Sequence, residues 1–220
     1  MVRPPVLHVP SNRRMTSAHV LLILGHGRSE SLCHHLAGVA RGQLERLGAE
    51  VREHDLLGDG FDPRLRLRPG QSHAEAVPPQ EDPLVARYQA DVVWADAYLI
   101  VYPVWWFAPP ALLKGWVDRV LADGIALDHS NEPPQGRLQG RRALVVSTFK
   151  APRAVDRLLM RRISARFWTN AVFFSVGIRN VTPLALYEVG ALSDRRLERF
   201  EGKLQRATTR LIEGTRVASP

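Results

Sequence analysis

Three short, uninterrupted apolar runs constrain this chain more than anything else in it: HVLLIL at residues 19–24, AYLIVY at 97–102 and ALVVST at 143–148. A strand with one wet face alternates apolar and polar residues, whereas a run with no polar interruption suits a strand covered on both faces of a parallel sheet. Between the runs the apolar period changes. In residues 30–47, Leu32, Leu36, Val39, Leu44 and Leu47 recur at a period of about 3.6, and Gly48 stands at the stop position. Residues 83–95, 109–122, 154–169 and 193–212 read as further helices, the second of these with proline in its first turn, where the missing N–H is harmless. Residues 50–54 and 181–187 read as two more strands, and the Gly-, Pro- and charge-rich segments 55–82 and 128–141 as loops.

Strands alternating with helices imply right-handed crossovers that cover a parallel sheet on both sides. The expected architecture is α/β: a three-layer, flavodoxin-like fold with a five-stranded parallel sheet of order 2-1-3-4-5 and helices on both faces. A ligand would then sit beyond the strand C-termini, at the switch between strands 1 and 3. With 220 residues and 45% apolar content the chain suits one core, so residues 19–214 are expected to form one domain. Residues 1–18, rich in Pro, Arg and Ser, are expected to be a disordered extension, with Met15 a candidate natural start. The single cysteine, Cys33, excludes an internal disulfide. No run approaches the roughly 20 apolar residues of a membrane span, and the first residues lack a secretory pattern. The expected setting is the cytoplasm, without membrane insertion. The formal charge is +8, yet only three of the 30 basic residues are lysines, an arginine skew that reflects genomic composition as readily as a partner. No nucleic-acid motif accompanies it, so nucleic acid is not an expected partner.

Two loops carry the chemistry. After the first strand comes Gly25-His26-Gly27-Arg28-Ser29-Glu30-Ser31, leading into a helix. Such a loop offers unpaired N–H groups and the positive end of the helix dipole to a phosphate, with Ser29 and Ser31 adding hydroxyls. An ordinary turn with a serine N-cap explains the same residues. Glu30 occupies the place of the third glycine in a dinucleotide fingerprint, and no G-K-[ST] follows, so neither a Rossmann nor a P-loop site is expected. After the third strand, Tyr102-Pro103-Val104-Trp105-Trp106-Phe107-Ala108-Pro109-Pro110 places three consecutive aromatics between prolines. These rings suit either the wall of a pocket for a flat heterocycle or the anchors of a core or subunit interface.

The segment 102–124, through Leu112-Leu113-Lys114-Gly115-Trp116-Val117-Asp118-Arg119 to Gly124, resembles the signature of the NAD(P)H:quinone oxidoreductases, which include DT-diaphorase, the modulators of drug activity and the ancillary oxidoreductases of potassium-efflux systems. Ala95-Asp96, Asp55-Leu56 and Phe61-Asp62-Pro63 agree with it. The resemblance implies FMN or FAD as cofactor, NAD(P)H as co-substrate, and two-electron reduction of a quinone or similar electrophile by a homodimer. By motif position it puts His26, Ser31, Leu32 and Gln89 at the flavin phosphates and Pro103, Val104, Trp105, Trp106 and Phe107 along the isoalloxazine. No protein nucleophile is required. Lys114, Asp118 and Arg119 are expected to be structural, the first two as an i,i+4 ion pair.

The opposite wall departs from the pattern. Where the family has Thr-Thr-Gly-Gly after the fourth strand, this chain has Ser147-Thr148-Phe149-Lys150. Two readings stand. Backbone donors persist there with altered geometry and Lys150 adds positive charge, or the pocket is impaired, binding flavin weakly or not at all, and the chain is a non-catalytic or weakly flavin-binding ancillary or regulatory subunit of the same fold. Arg153, Arg157 and Arg161 fall on one face of the helix expected at 154–169. They form either a solvated face or an attraction for a phosphate of NADPH or an acidic partner protein. No histidine spacing suggests a metal.

Overall fold

A computed structural model describes residues 17–66, 69, 82–130 and 132–213. The expectations for residues 1–16 and for most of 67–81 lie outside these. Strand β1 (His19–Leu24) pairs in parallel with β2 (Glu50–Asp55) on one side and β3 (Ala97–Pro103) on the other. Short strands β4 (Leu127–Asp128) and β5 (Gln135–Gly136) form a separate antiparallel ribbon inside the segment read as a loop. Strand β6 (Arg142–Thr148) pairs with β3, and β7 (Asn180–Leu186) closes the sheet beside β6. The order β2-β1-β3-β6-β7 is the expected 2-1-3-4-5 once the ribbon is set aside.

The three apolar runs are buried because successive residues serve opposite faces. Leu21, Ile23, Tyr98, Ile100 and Val145 pack with α2 (Pro83–Trp94) and α3 (Ala111–Val120). Val20, Leu22, Leu24, Leu99, Val101 and Val146 pack with α1 (Leu32–Arg46) and α6 (Asp194–Glu213). Pro183 stands within β7, where an edge strand tolerates the missing N–H. Asp82 starts α2 by accepting hydrogen bonds from the N–H groups of Leu84 and Val85. Helix α3 begins later than the sequence suggested, at Ala111. Pro110 follows Pro109 and forces it out of helical backbone, so both prolines precede the helix.

The helix expected at 154–169 is broken. A π-helical turn over Val155–Leu159 ends where Arg161 and Arg162 adopt left-handed backbone (φ 49° and 56°). The chain then restarts as α4 (Ile163–Arg166), a π-helical stretch Phe167–Val172 and α5 (Phe173–Ser175). Arg153, Arg157 and Arg161 therefore do not share one helical face.

Two contacts explain parts of the 102–124 signature. A β-carbon on Gly115 would lie 2.3 Å from the Pro63 carbonyl oxygen, so only glycine lets α3 meet the 61–63 loop. Arg119 secures the same junction, donating to the Asp62 carbonyl and to Asp82 Oδ2 (2.6 Å), while Lys114 and Asp118 form the expected ion pair at 2.6 Å. Beneath the sheet, buried His54 stacks on Tyr88 at 3.6 Å. Its Nδ1 accepts from Trp116 Nε1 at 3.2 Å, so the ring's proton sits on Nε2, 3.1 Å from Asp91 Oδ2.

Gly115→Ala replaces a poor helix former with the best one, yet it is expected to destabilise by about 2 kcal/mol, because the collision is with backbone; urea unfolding midpoints decide the sign. Burial holds the His54 pKa down at about 4, against its ordinary value of 6.5. The unfolded chain thus takes up the proton first, so the neutral ring's stabilisation is complete above pH 6.5 and is lost as pH falls toward 4. The loss between pH 7 and pH 5 amounts to about 2 kcal/mol, and His54→Gln, measured across the same pH series, removes it.

Candidate functional site

Parallel pairing brings the C-terminal ends of β1, β3 and β6 together, and hydrogen bonds extend the ladder past them. Gly25 N–H donates to the Val101 carbonyl (3.0 Å), Val104 N–H to Thr148 (2.8 Å) and Phe149 N–H to Leu186 (2.8 Å). The three following loops therefore start from fixed points around one cavity of about 780 Å³. Its walls include His26, Ser31 and Leu32 from the first loop, Pro103 to Phe107 from the second, and Thr148, Phe149 and Lys150 from the third.

The first loop is held from within. His26 Nδ1 accepts from the Arg28 N–H at 3.0 Å, and burial, reinforced by His34 and Arg28, lowers the His26 pKa. The neutral ring then carries its proton on Nε2 as a donor. Ser31 caps α1, accepting from the His34 N–H at 3.4 Å, with its Oγ also 2.8 Å from His34 Nδ1. Cap and cavity wall are thus the same residue, and the two readings of this serine are compatible. The N–H groups of Leu32 and Cys33 in the first helical turn have no partner among the described residues, as the start of any helix dictates.

The second loop is a tight turn. Trp105 and Ala108 exchange both backbone hydrogen bonds, at 3.0 and 3.1 Å. Between them Trp106 and Phe107 both adopt positive φ, 52° and 59°, the pattern of a turn that favours Asn-Gly. Bulky residues there carry strain that the surrounding structure must hold. Trp106 is 99% exposed at the cavity mouth and Trp105 49%. A β-carbon on Gly27 would come within 3.2 Å of the Trp105 ring, so the first and second loops close on each other across a glycine.

The third loop shows how Phe149 and Lys150 stand where glycines were expected. Neither has positive φ. The Phe149 ring turns inward, is 3% exposed, and stacks on Tyr187 at 4.9 Å. Its N–H is spent on Leu186, whereas the N–H groups of Lys150 and Ala151, two residues that line the cavity, have no partner among the described residues. Cys33 also lies in the wall, its Sγ 3.6 Å from Thr148 Oγ1, and burial pushes its thiol up to about 11.

Three residues expected at this site lie apart from it. Gln89 is buried on α2 and donates to the Arg119 carbonyl at 3.1 Å, a packing role between α2 and α3. Ser147, one residue earlier on the pleat than Thr148, faces a different cavity. Ser29 is exposed and outside the lining. Conversely Arg28, Cys33, Ala151 and Val189 join the wall. Arg28 stood within the quoted loop, whereas Val189 follows the fifth strand of the sheet and carries no local signal.

The chain belongs to the Flavodoxin_2 family, whose flavodoxin-like fold is matched over residues 18–211. This agrees with the grouping that residues 102–124 suggested. Among its relatives, the ribosyldihydronicotinamide dehydrogenase [quinone] of Pongo abelii is 30% identical over 154 residues, covering 61% of this chain and 64% of its own length, so just under two thirds of that relative is matched. NAD(P)H dehydrogenase [quinone] 1 of Rattus norvegicus is 24% identical over 89% of this chain and 78% of its own. An FMN-dependent NADH-azoreductase from Bacillus anthracis, solved in complex with FMN, superposes with a TM-score of 0.69 at 18% identity, over 88% of this chain and 99% of that one. At that identity the likeness is one of fold.

Because Trp106 is solvated, Trp106→Asn removes left-handed strain without removing a packed contact. It is expected to raise stability by about 1 kcal/mol, measured as a higher urea midpoint; a lower midpoint would show that the ring is itself packed.

Proposed function

We propose that this protein is a flavin-dependent NAD(P)H:quinone oxidoreductase, binding FMN or FAD in the cavity at the strand ends and reducing a quinone or similar electrophile. The observation that carries this reading is the pairing of two features in one cavity of about 780 Å³: an apolar wall of Val104 and the aromatic Trp105, Trp106 and Phe107, and, among its other lining residues, Leu32, Cys33, Lys150 and Ala151 with N–H groups that have no partner among the described residues. A flat heterocycle with an apolar face, a polar edge and a phosphate tail matches such a distribution. The relatives named above point to the same chemistry.

In this reading the start of α1, with Ser31 and the His26 Nε2–H, holds the phosphate, as a helix N-terminus does. Trp105 and Phe107 present ring surfaces to the isoalloxazine and keep water from its face. Lys150 and Ala151 donate from the backbone to its pyrimidine edge, and the Lys150 ammonium adds positive charge on that side. A flavin held there would supply two-electron chemistry between NAD(P)H and the acceptor. The chain's residues position the two substrates in turn and need provide no nucleophile. The same reading includes a homodimer in the cytoplasm. Leu158, Leu159 and Ile163, exposed at 82%, 69% and 53% within six residues of one another, support a subunit contact there. Among the described residues no helix is long and apolar enough to cross a membrane.

Flavin reconstitution tests the reading. The full-length protein is expected to be yellow, or to turn yellow with added FMN or FAD, and to oxidise NAD(P)H when a quinone is present. Lys150→Pro, which withdraws one backbone donor, is expected to weaken flavin binding about tenfold, the worth of one hydrogen bond. Protein that takes up neither flavin and leaves NAD(P)H unoxidised would overturn the assignment.

A further inference from the structure

A second cavity, of about 460 Å³, lies beside the edge strand β7 and shares only Phe149 with the first. Among the described residues six cationic side chains border it: Arg157 from the π-helical turn and Arg153 just before it, Arg162 from the left-handed break, and Arg196, Arg199 and Lys203 from α6. Against them stand two carboxylates, Asp156 and Glu188. The cations come from three separate elements, and the break in the 154–172 region is what lets Arg162 join the others.

Most of this charge is unengaged. Arg196 is committed to the carbonyls of Tyr187 (2.9 Å) and Ala191 (3.2 Å), and Arg199 Nε to Arg195. The side chains of Arg153, Arg157, Arg162 and Lys203 make no hydrogen bond or ion pair among the described residues. Convergent, unpaired guanidinium and ammonium groups in a concavity fit a phosphate, which takes paired N–H donors from arginine and point charge from lysine.

The buried end of the cavity asks for something more. Asp156 is 2% exposed; its Oδ2 accepts from Tyr187 Oη at 2.7 Å, while its Oδ1 has no partner. Among the described residues it forms no ion pair. A buried carboxylate oxygen without a donor is costly and rare in a settled interior. A bare anion would leave it unsatisfied and would be repelled by it. An anion that also carries a hydroxyl or amino donor would satisfy both ends.

We propose that this cavity is a second ligand site, for a phosphate monoester bearing a neighbouring hydroxyl, as on a phosphorylated ribose. The phosphate lies on Arg157, Arg162 and Lys203, and the hydroxyl donates to Asp156 Oδ1, an oxygen that is covered in this structure and that the ester must uncover as it binds. The site is separate from the flavin cavity and stands whether or not a flavin binds there.

Calorimetric titration of the full-length chain, with and without flavin, tests it with three probes: ribose 5-phosphate, 2′-AMP and inorganic phosphate. At least one ester is expected to bind tenfold or more tightly than inorganic phosphate. Replacing the exposed pair together, Arg157→Ala with Lys203→Ala, is expected to weaken that ester at least tenfold and leave flavin uptake unchanged. Asp156→Ala is expected to erase the ester's advantage over inorganic phosphate while sparing phosphate itself. If the paired substitution raises the KM for NADPH and not for NADH, the occupant is the phosphorylated ribose of the nicotinamide co-substrate. If neither KM moves while ester binding is lost, it is a separate metabolite. Absence of saturable binding by either ester, equal affinity for ester and inorganic phosphate, or undiminished binding by the doubly substituted chain would overturn the proposal.

Discussion

Parallel pairing of β1, β3 and β6 is the constraint on which the rest of the structure depends. It aligns three strand ends, and the ladder bonds of Gly25, Val104 and Phe149 carry that alignment into the loops before they diverge. The loops are thereby mounted on backbone that is itself buried on both sides. This is how a chain can keep two aromatic residues in left-handed conformation at Trp106 and Phe107. The strain is local, whereas the support comes from the whole sheet.

The third loop shows how a missing glycine pair can be replaced. Glycine serves where φ is positive or where a side chain would obstruct a close approach. Here the backbone stays in ordinary regions, and the Phe149 ring is drawn into the space between the two cavities by its stack on Tyr187. The side chain that threatened to fill the pocket becomes part of its floor. Tyr187 is fixed in turn by Asp156, and burial, reinforced by that carboxylate, pushes its phenol up to about 12, so the partition between the cavities is neutral.

Much of this was legible in the sequence, and the limits are physical. Unbroken apolar runs signal double-sided burial wherever they occur, so the sheet order and both helical layers could be read. Residues 102–124 could be read because close packing forces their identities, Gly115 against Pro63 being the plainest case. Motif position put Gln89 at the flavin phosphates but says nothing of which way a helical side chain turns, and here it turns toward Arg119. The break at Arg161 and Arg162 left no local mark, since arginine is a good helix former and nothing in 154–169 resembles a stop. The basic cavity depended on that break, so it too was out of reach.

Cys33 gives the cavity at the strand ends a further property. A cavity that received electrophiles would endanger any thiol in its wall, since thiolates add readily to quinones. The chain has one cysteine, and it stands in that wall. It is 1% exposed, packed on Thr148, and stays protonated far above neutral pH. A protonated, buried sulfur is a poor nucleophile. If the cavity admits electrophiles, as proposed, its one thiol is held in the form least able to react with them.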